Sequence, residues 1–182
     1  MRVISGKARG IKLNSLDGTE TRPTLDRVKE ALFNIVQYNL QDAIILDLFA
    51  GSGALGIEAL SRKARKVVFC DESHKAIKII NENLEKTNFK NKAVVVNKDY
   101  KICLNNLDEQ FDIIFLDPPY KTNFAIDATK MIVDLNLISK EGIIVIETDE
   151  KLENKISEIN DINLYDIRKY GRVKLMFLNR KG

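Results

Sequence analysis

From Ala43 onward, short apolar runs alternate with stretches in which apolar residues recur every three or four positions. Residues 44–49, 67–70, 93–96, 111–116 and 143–146 each fit a buried strand. The segments between and after them, 55–62, 75–86, 102–107, 125–135 and 152–159, fit amphipathic helices. Such alternation specifies a parallel, doubly wound sheet, and right-handed crossovers put helices on both of its faces. The end of the chain breaks the pattern, because the strand-like runs 164–170 and 173–178 are joined only by Gly171-Arg172. A link that short joins antiparallel strands. The pattern therefore predicts an α/β fold with a seven-stranded, mainly parallel sheet and an antiparallel C-terminal hairpin.

The first 40 residues follow a different pattern. Val3-Ile4 and Ile11-Lys12-Leu13 flank Gly6-Lys7-Ala8-Arg9-Gly10, which predicts a small β-hairpin. Pro23 and Thr24 open a helix with Thr24 at its N-cap, and Leu25, Val28, Leu32 and Ile35 form its apolar face. We read a single domain over 1–182, with 1–40 as an N-terminal extension and 41–182 as the Rossmann-like core. A chain of 182 residues has room for one substantial core and hardly for two.

Composition narrows the class. Hydrophobic residues make up 45% and charged residues 30%, the balance of a globular protein. No apolar run approaches the roughly 18–20 residues of a membrane span, and the basic start has no apolar segment of a signal peptide. Cys70 and Cys103 lie in different segments and His74 is the single histidine, so neither a disulfide framework nor a metal site is expected. These features predict a cytoplasmic, metal-free protein, and nothing in them demands more than a monomer. The net charge of +3 hides an uneven distribution: residues 1–40 carry +3, 41–167 carry −6 and 168–182 carry +6. If the two basic ends meet, they form a stripe suited to phosphates.

The candidate chemistry gathers where strands end. Gly51-Ser52-Gly53 follows the first strand and opens a helix, a turn that brings backbone close to a ligand. Asp71 ends the second strand and can accept both hydroxyls of a ribose. Asp47, four residues before Gly51, suits an ammonium group and opposes a pyrophosphate, which favours S-adenosylmethionine over a dinucleotide. Asp99, after the third strand, can accept from an adenine amino group, and it fits a helix cap equally well. The stretch Asp117-Pro118-Pro119-Tyr120 places a carboxylate, a rigid turn and an aromatic ring at the carboxyl edge of the sheet. An aromatic amine is a poor nucleophile because its lone pair is delocalised. Acceptors on its two N–H groups, the Asp117 carboxylate and the Pro118 carbonyl, can make the nitrogen more tetrahedral. Tyr120 can stack on a base that is unpaired or flipped out.

Asp47-Leu48-Phe49-Ala50-Gly51-Ser52-Gly53 together with Asp117-Pro118-Pro119-Tyr120 resembles the class I methyltransferases that act on amino groups of bases. The N-terminal stretch 1–10, the block 21–33, the stretch 53–61 and Tyr170-Gly171 are similar, more narrowly, to the bacterial 16S ribosomal RNA guanine-N2 methyltransferases, the small-subunit methyltransferase D family. The likeness covers the full length, and its N-terminal block is more specific than the glycine turn. One departure is Asp71, where that family is expected to carry glutamate. The resemblance implies S-adenosylmethionine as cofactor and a guanine of 16S rRNA as substrate, presented in an assembled or assembling 30S particle. It implies Asp117, Pro118, Pro119 and Tyr120 as the catalytic segment, with Asp47, Phe49, Gly51, Ser52, Gly53, Asp71 and Asp99 around the cofactor. Lys7, Arg9, Lys12, Arg22, Arg27, Arg168, Lys169 and Arg172 are the expected RNA contacts, both hairpins bordering the active-site mouth. The alternatives are a DNA adenine-N6 methyltransferase, for which 182 residues leave no duplex-recognition domain, a nicotinamide oxidoreductase, and a catalytically silent RNA chaperone.

Overall fold

The computed structural model describes residues 1–16, 23–119 and 122–182, with side chains in the first helix from residue 26 onward. Strands β1 (Ile44–Asp47), β2 (Lys66–Asp71), β3 (Ala93–Asn97), β4 (Phe111–Leu116), β5 (Ile138–Thr148), β6 (Ile162–Tyr170) and β7 (Val173–Arg180) form one sheet. Its order is β3-β2-β1-β4-β5-β7-β6. The first five strands pair in parallel, and β7 lies antiparallel between β5 and β6.

The alternation of side chains along each strand builds two cores. Ile45, Phe69, Ile113, Phe115 and Val145 face helices α1 (Pro23–Ile35), α2 (Ala54–Ser61) and α3 (His74–Thr87). Leu46, Val68, Ile114, Leu116 and Ile144 face α4 (Tyr100–Asn105), α5 (Phe124–Asp134) and α6 (Glu153–Ser157). On the first face, Phe33 of α1 meets Phe115 edge-on, with ring centroids 5.7 Å apart. A sheet buried on both sides requires the near-continuous apolar runs seen in the sequence.

Three local expectations change. Strand β5 begins at Ile138, so polar Ser139, Lys140 and Glu141 belong to it, and a register shift against β4 at Phe111/Ile113 absorbs the irregular start. Helix α1 starts at Pro23, which puts Thr24 inside its first turn rather than at the cap. Proline suits the first helical position because its missing N–H would have no intrahelical partner there. The N-terminal hairpin reduces to a single antiparallel bridge, Arg2 with Lys12, continued by Val3 N–H to Ile11 O (3.0 Å) and Leu13 N–H to Met1 O (2.9 Å).

What holds this N-terminal arm is helix α2. The fully buried Glu58 carboxylate accepts from the backbone N–H groups of Ile4 (2.8 Å) and Ser5 (3.0 Å). It also meets the buried Lys29 ammonium at 3.2 Å and Arg62 Nε at 2.8 Å, so its charge is compensated on every side. Ser61 O accepts from Lys7 N–H (2.9 Å), and a Cβ on Gly6 would stand 1.9 Å from that same oxygen. Only glycine allows so close an approach.

Candidate active site

Parallel strands deliver their loops to the carboxyl edge of the sheet, and the sheet order reverses between β1 and β4, the usual position of a ligand crevice. A cavity of about 430 Å³ opens there, within the range of small-molecule sites. One end is lined by Gly51, Asp71, Glu72, Lys98 and Asp99, and the other by Asp117, Pro118 and Pro119. Leu48, Phe49, Tyr100 and Phe124 complete the wall.

At the first end the glycine turn is held in shape by carboxylates. Gly51 and Gly53 have φ of 55° and 76°, backbone that residues with a Cβ rarely adopt. Asp71 Oδ2 accepts from Gly51 N–H and Oδ1 from Ser73 N–H, each at 2.9 Å. A Cβ on Gly51 would meet no atom within 4 Å, so the turn leaves a cradle that a side chain would fill. Asp99 caps α4 by accepting from Lys101 N–H at 2.8 Å and also lines the cavity, so the cap and the ligand-facing position coincide. This acceptor-rich end, with an open glycine turn, fits the ribose and adenine of S-adenosylmethionine.

Asp47 sits deeper. It is 2% exposed and its Oδ2 accepts from Gly56 N–H at 3.0 Å, beneath the turn and inside the first turn of α2. Burial pushes its carboxyl up to about 7, the Gly56 hydrogen bond opposes this, and Asp71 adds to it. Ser52 contributes its carbonyl to Asn83 Nδ2 at 2.9 Å, and Gly53 N–H closes the turn on Ala50 O at 2.7 Å.

At the second end, Asp117 lines the cavity and is exposed to it. Partial loss of water around its carboxyl raises it well above the ordinary range, and Glu147 and Asp47 raise it further. The register explains the grouping. Leu116 pairs with Ile146, so Asp117 and Glu147 follow at the same level on adjacent strands, facing the α1 side with Asp47 of β1. Burial raises Glu147 as well. Pro118 is buried and Pro119 exposed, and Pro119 O accepts from Thr122 Oγ1 at 2.8 Å. Tyr120 lies outside the described residues.

Sequence reasoning did not single out Glu147, Tyr100 or Phe124. Phe49 and Phe124 lie nearly parallel, 7° apart in plane with centroids 6.3 Å apart, and Tyr100 tilts against both at 5.3 and 5.1 Å. Phe124, seven residues beyond Asp117, could have been suspected as a second aromatic following the rigid turn. Glu147 carried no such signal.

The basic residues divide between two edges. Arg168, Lys169 and Arg172 surround the β6–β7 turn, which lies at the carboxyl edge because β7 enters opposite Thr148, the end of β5. The turn carrying Lys7 and Arg9 does not border the same mouth. Lys7 is bonded to Ser61 at the end of α2, one helix length or about 12 Å from the glycine turn. Lys63 O beyond it accepts from Asp42 N–H, at the amino end of β1. The arm is carried down α2 by Glu58, so its tip reaches the opposite edge. Lys12 is exposed on the returning limb and Arg27 on α1, while Arg22 falls outside the described residues.

Sheet order, glycine turn and the Asp117 segment together define a class I methyltransferase fold with its crevice intact. A family model described as "Conserved hypothetical protein 95" matches residues 1–179. "Ribosomal RNA small subunit methyltransferase D" of Haemophilus influenzae is 38% identical over 153 residues, covering 82% of this chain and 79% of that protein. The Bacillus subtilis protein YlbH is 36% identical over 185 residues, with both chains covered completely. The solved structure of Escherichia coli yhhF superposes with a TM-score of 0.88 at 32% identity, covering 100% of this chain and 98% of that one. The chain belongs to this family, that of the small-subunit methyltransferase D.

Proposed function

We propose that this protein transfers a methyl group from S-adenosylmethionine to the exocyclic N2 of a specific guanine in 16S ribosomal RNA. The observation that carries the reading is one cavity with Gly51, Asp71 and Asp99 at one end and Asp117-Pro118-Pro119 at the other. The names of relatives such as the Haemophilus influenzae protein point to small-subunit rRNA.

S-adenosylmethionine, when bound, supplies an electrophilic methyl group. The chain's own residues do the rest. Asp71 accepts the ribose hydroxyls with the lone pairs left over from Gly51 and Ser73, and Asp99 accepts from the adenine amino group. The ionised Asp117 carboxylate and the Pro118 carbonyl accept from the two N–H groups of the target amine. They hold its lone pair toward the methyl group, so that the N–C bond would form as the sulfonium S–C bond breaks and S-adenosylhomocysteine leaves. The surplus amine proton would pass to Asp117 or water, and positioning of this kind supplies much of the rate. Tyr120 stacks on the extruded base. Arg168, Lys169 and Arg172 hold phosphates beside the mouth, with Arg27 of α1 and Arg22, which lies outside the described residues, as helpers. Lys7, Arg9 and Lys12 contact RNA away from the mouth.

The test is methyl transfer from radiolabelled cofactor to 30S subunits, naked 16S rRNA, duplex DNA and no acceptor, followed by nucleoside digestion. Label recovered as N2-methylguanosine from the rRNA arms supports the reading. Label in duplex DNA as N6-methyladenine, or in neither nucleic acid, overturns it.

A further inference from the structure

The N-terminal arm and the glycine turn are far apart in sequence, and one buried side chain joins them. Asn83, on α3, is fully buried. Its Oδ1 accepts from Asn14 N–H at 2.7 Å, and its Nδ2 donates to Asn14 O at 3.0 Å. The same Nδ2 donates its second hydrogen to Ser52 O at 2.9 Å, in the middle of the turn. Every donor of the amide is thus committed, two of its three bonds to the arm and one to the turn. The Asn14 side chain reinforces the junction, donating to Glu82 Oε2 at 2.7 Å and accepting from Lys86 Nζ.

We propose that Asn83 is a positioning residue for cofactor binding, and that through it the N-terminal arm forms part of the cofactor site. The proposal rests on the reading of the glycine turn as the S-adenosylmethionine site. What Asn83 fixes is the plane of one peptide. Ser52 lies between two residues of positive φ, Gly51 and Gly53, a conformation with little intrinsic preference to hold it. Asp71 fixes the Gly51 amide from one side. Asn83 fixes the Ser52 carbonyl from the other, and with it the orientation of the Gly53 N–H in the same peptide unit. Without that bond the part-buried Ser52 carbonyl loses its side-chain partner, and the peptide is held from the Gly53 N–H side, by Ala50 O, but no longer by Asn83. Asn83 itself keeps its amide plane only while Asn14 holds the other edge. The arm is in turn clamped along α2 by Glu58, so displacement of residue 14 is transmitted to a turn it never touches.

The experiment compares the full-length protein with Asn83→Ala, Asn83→Asp and Asn14→Pro. Asn83→Asp keeps volume and the acceptor for Asn14 N–H but loses both donated bonds. Asn14→Pro leaves Asn83 intact and removes the N–H it accepts. The readouts are calorimetric affinity for S-adenosylmethionine, measured well below each melting temperature, and hydrogen exchange of the Gly51–Gly53 amides. All three variants should bind the cofactor more weakly, by about tenfold for the two Asn83 variants, and exchange the turn amides faster. A lowered melting temperature with wild-type affinity and wild-type turn exchange would make Asn83 a merely structural residue and overturn the proposal. Should Asn83→Ala fail to fold, the volume-preserving Asn83→Asp and the distant Asn14→Pro decide it. Wild-type protein that binds no S-adenosylmethionine would instead defeat the functional reading itself, a result distinct from equal binding by wild type and variants.

Discussion

The Gly51 amide donates to Asp71 Oδ2 at 2.9 Å across 20 residues of sequence, tying the end of β2 to the turn that follows β1. One carboxylate therefore shapes the turn and faces the cavity. Asp71→Ala removes both functions, and a hydrogen bond to a charged group is worth roughly 1.5–3 kcal/mol. Cofactor affinity should fall by about one to two orders of magnitude. Gly51→Val should weaken binding too, by forcing a β-branched residue to φ of 55° and filling the cradle. Calorimetric titration with S-adenosylmethionine checks both, and undiminished affinity in Asp71→Ala would remove Asp71 from the site.

In the proposed function Asp117 works on the acceptor amine rather than on the cofactor. Asp117→Ala should leave S-adenosylmethionine affinity nearly intact and cut turnover by about two or more orders of magnitude, as loss of a preorganised polar partner does. Parallel losses in binding and turnover would mean that the Asp117 segment is only a rigid turn. Tyr120→Ala should weaken RNA engagement by roughly 1–3 kcal/mol, the worth of one base stack. Activity equal to wild type would assign Tyr120 another role.

Proton uptake by the carboxylates at this edge gives a test that geometry alone does not. The ionised Asp117 carboxylate is the stronger acceptor for an N–H, and loss of water together with Glu147 and Asp47 raises its carboxyl. Lys174, which pairs with Thr148 next to Glu147 along the sheet, is engaged by Glu153 at 2.8 Å and Glu150 O at 3.0 Å. Single-turnover methylation should therefore rise with pH above the ordinary carboxylate range. Glu147→Gln removes one like charge, which lowers the Asp117 carboxyl and should move the acid limb to lower pH. A limb that stays in place would show that another group titrates.

Much of this arrangement was legible in the sequence because it follows from local pattern. Apolar runs located the strands, and Gly171-Arg172 between two strand-like segments set the antiparallel end that separates this sheet from dinucleotide-binding ones. Asp71, Asp99 and Asp117 were visible because strand ends in a parallel sheet converge on one edge. What stayed hidden depends on contacts between segments distant in sequence. Glu58 reads as the polar side of a helix, yet it is buried beneath the arm with Lys29 and Arg62. The fall of Lys7 and Arg9 to the far edge follows from that clamp, and charge counting could not anticipate it. Glu147 reads as one more polar position late in a strand, and only its level beside Asp117 gives it meaning.

Asp47 exacts a stability cost whose sign can be worked out. Its folded-state carboxyl is raised to about 7, so folding favours the protonated form. That contribution is fully present below the ordinary carboxyl pKa of about 3.9 and is lost as pH rises through about 7. At 1.36 kcal/mol per unit, the loss is on the order of 4 kcal/mol by pH 8. Asp47→Asn keeps an acceptor for Gly56 N–H and carries no charge at any pH. Its melting temperature should exceed that of wild type above neutrality and converge with it near pH 4. Identical pH dependence of the two proteins would show that Asp47 is not the group being titrated.

The split of basic residues between two edges yields the last prediction. Lys169 and Arg172 are exposed at the β6–β7 turn and Arg168 pairs with Asp166 at 2.9 Å, so the first two are the cations most available to phosphates beside the cavity. Each phosphate contact releases counterions, and each one lost should lower the salt slope of binding by about one. Lys169→Glu with Arg172→Glu should therefore reduce both the affinity for 30S subunits and its salt dependence, together with the methylation rate at subsaturating particle. Lys7→Glu with Arg9→Glu, at the end of α2 away from the glycine turn, should weaken binding without changing the rate at saturation, because these side chains stand away from the amine. Lys78→Glu with Lys90→Glu, both exposed, serves as a control on α3 and just beyond it, and filter binding across a salt series measures all three pairs. Equal slopes for the three pairs would mean that only net charge matters, and neither turn would keep its assigned role.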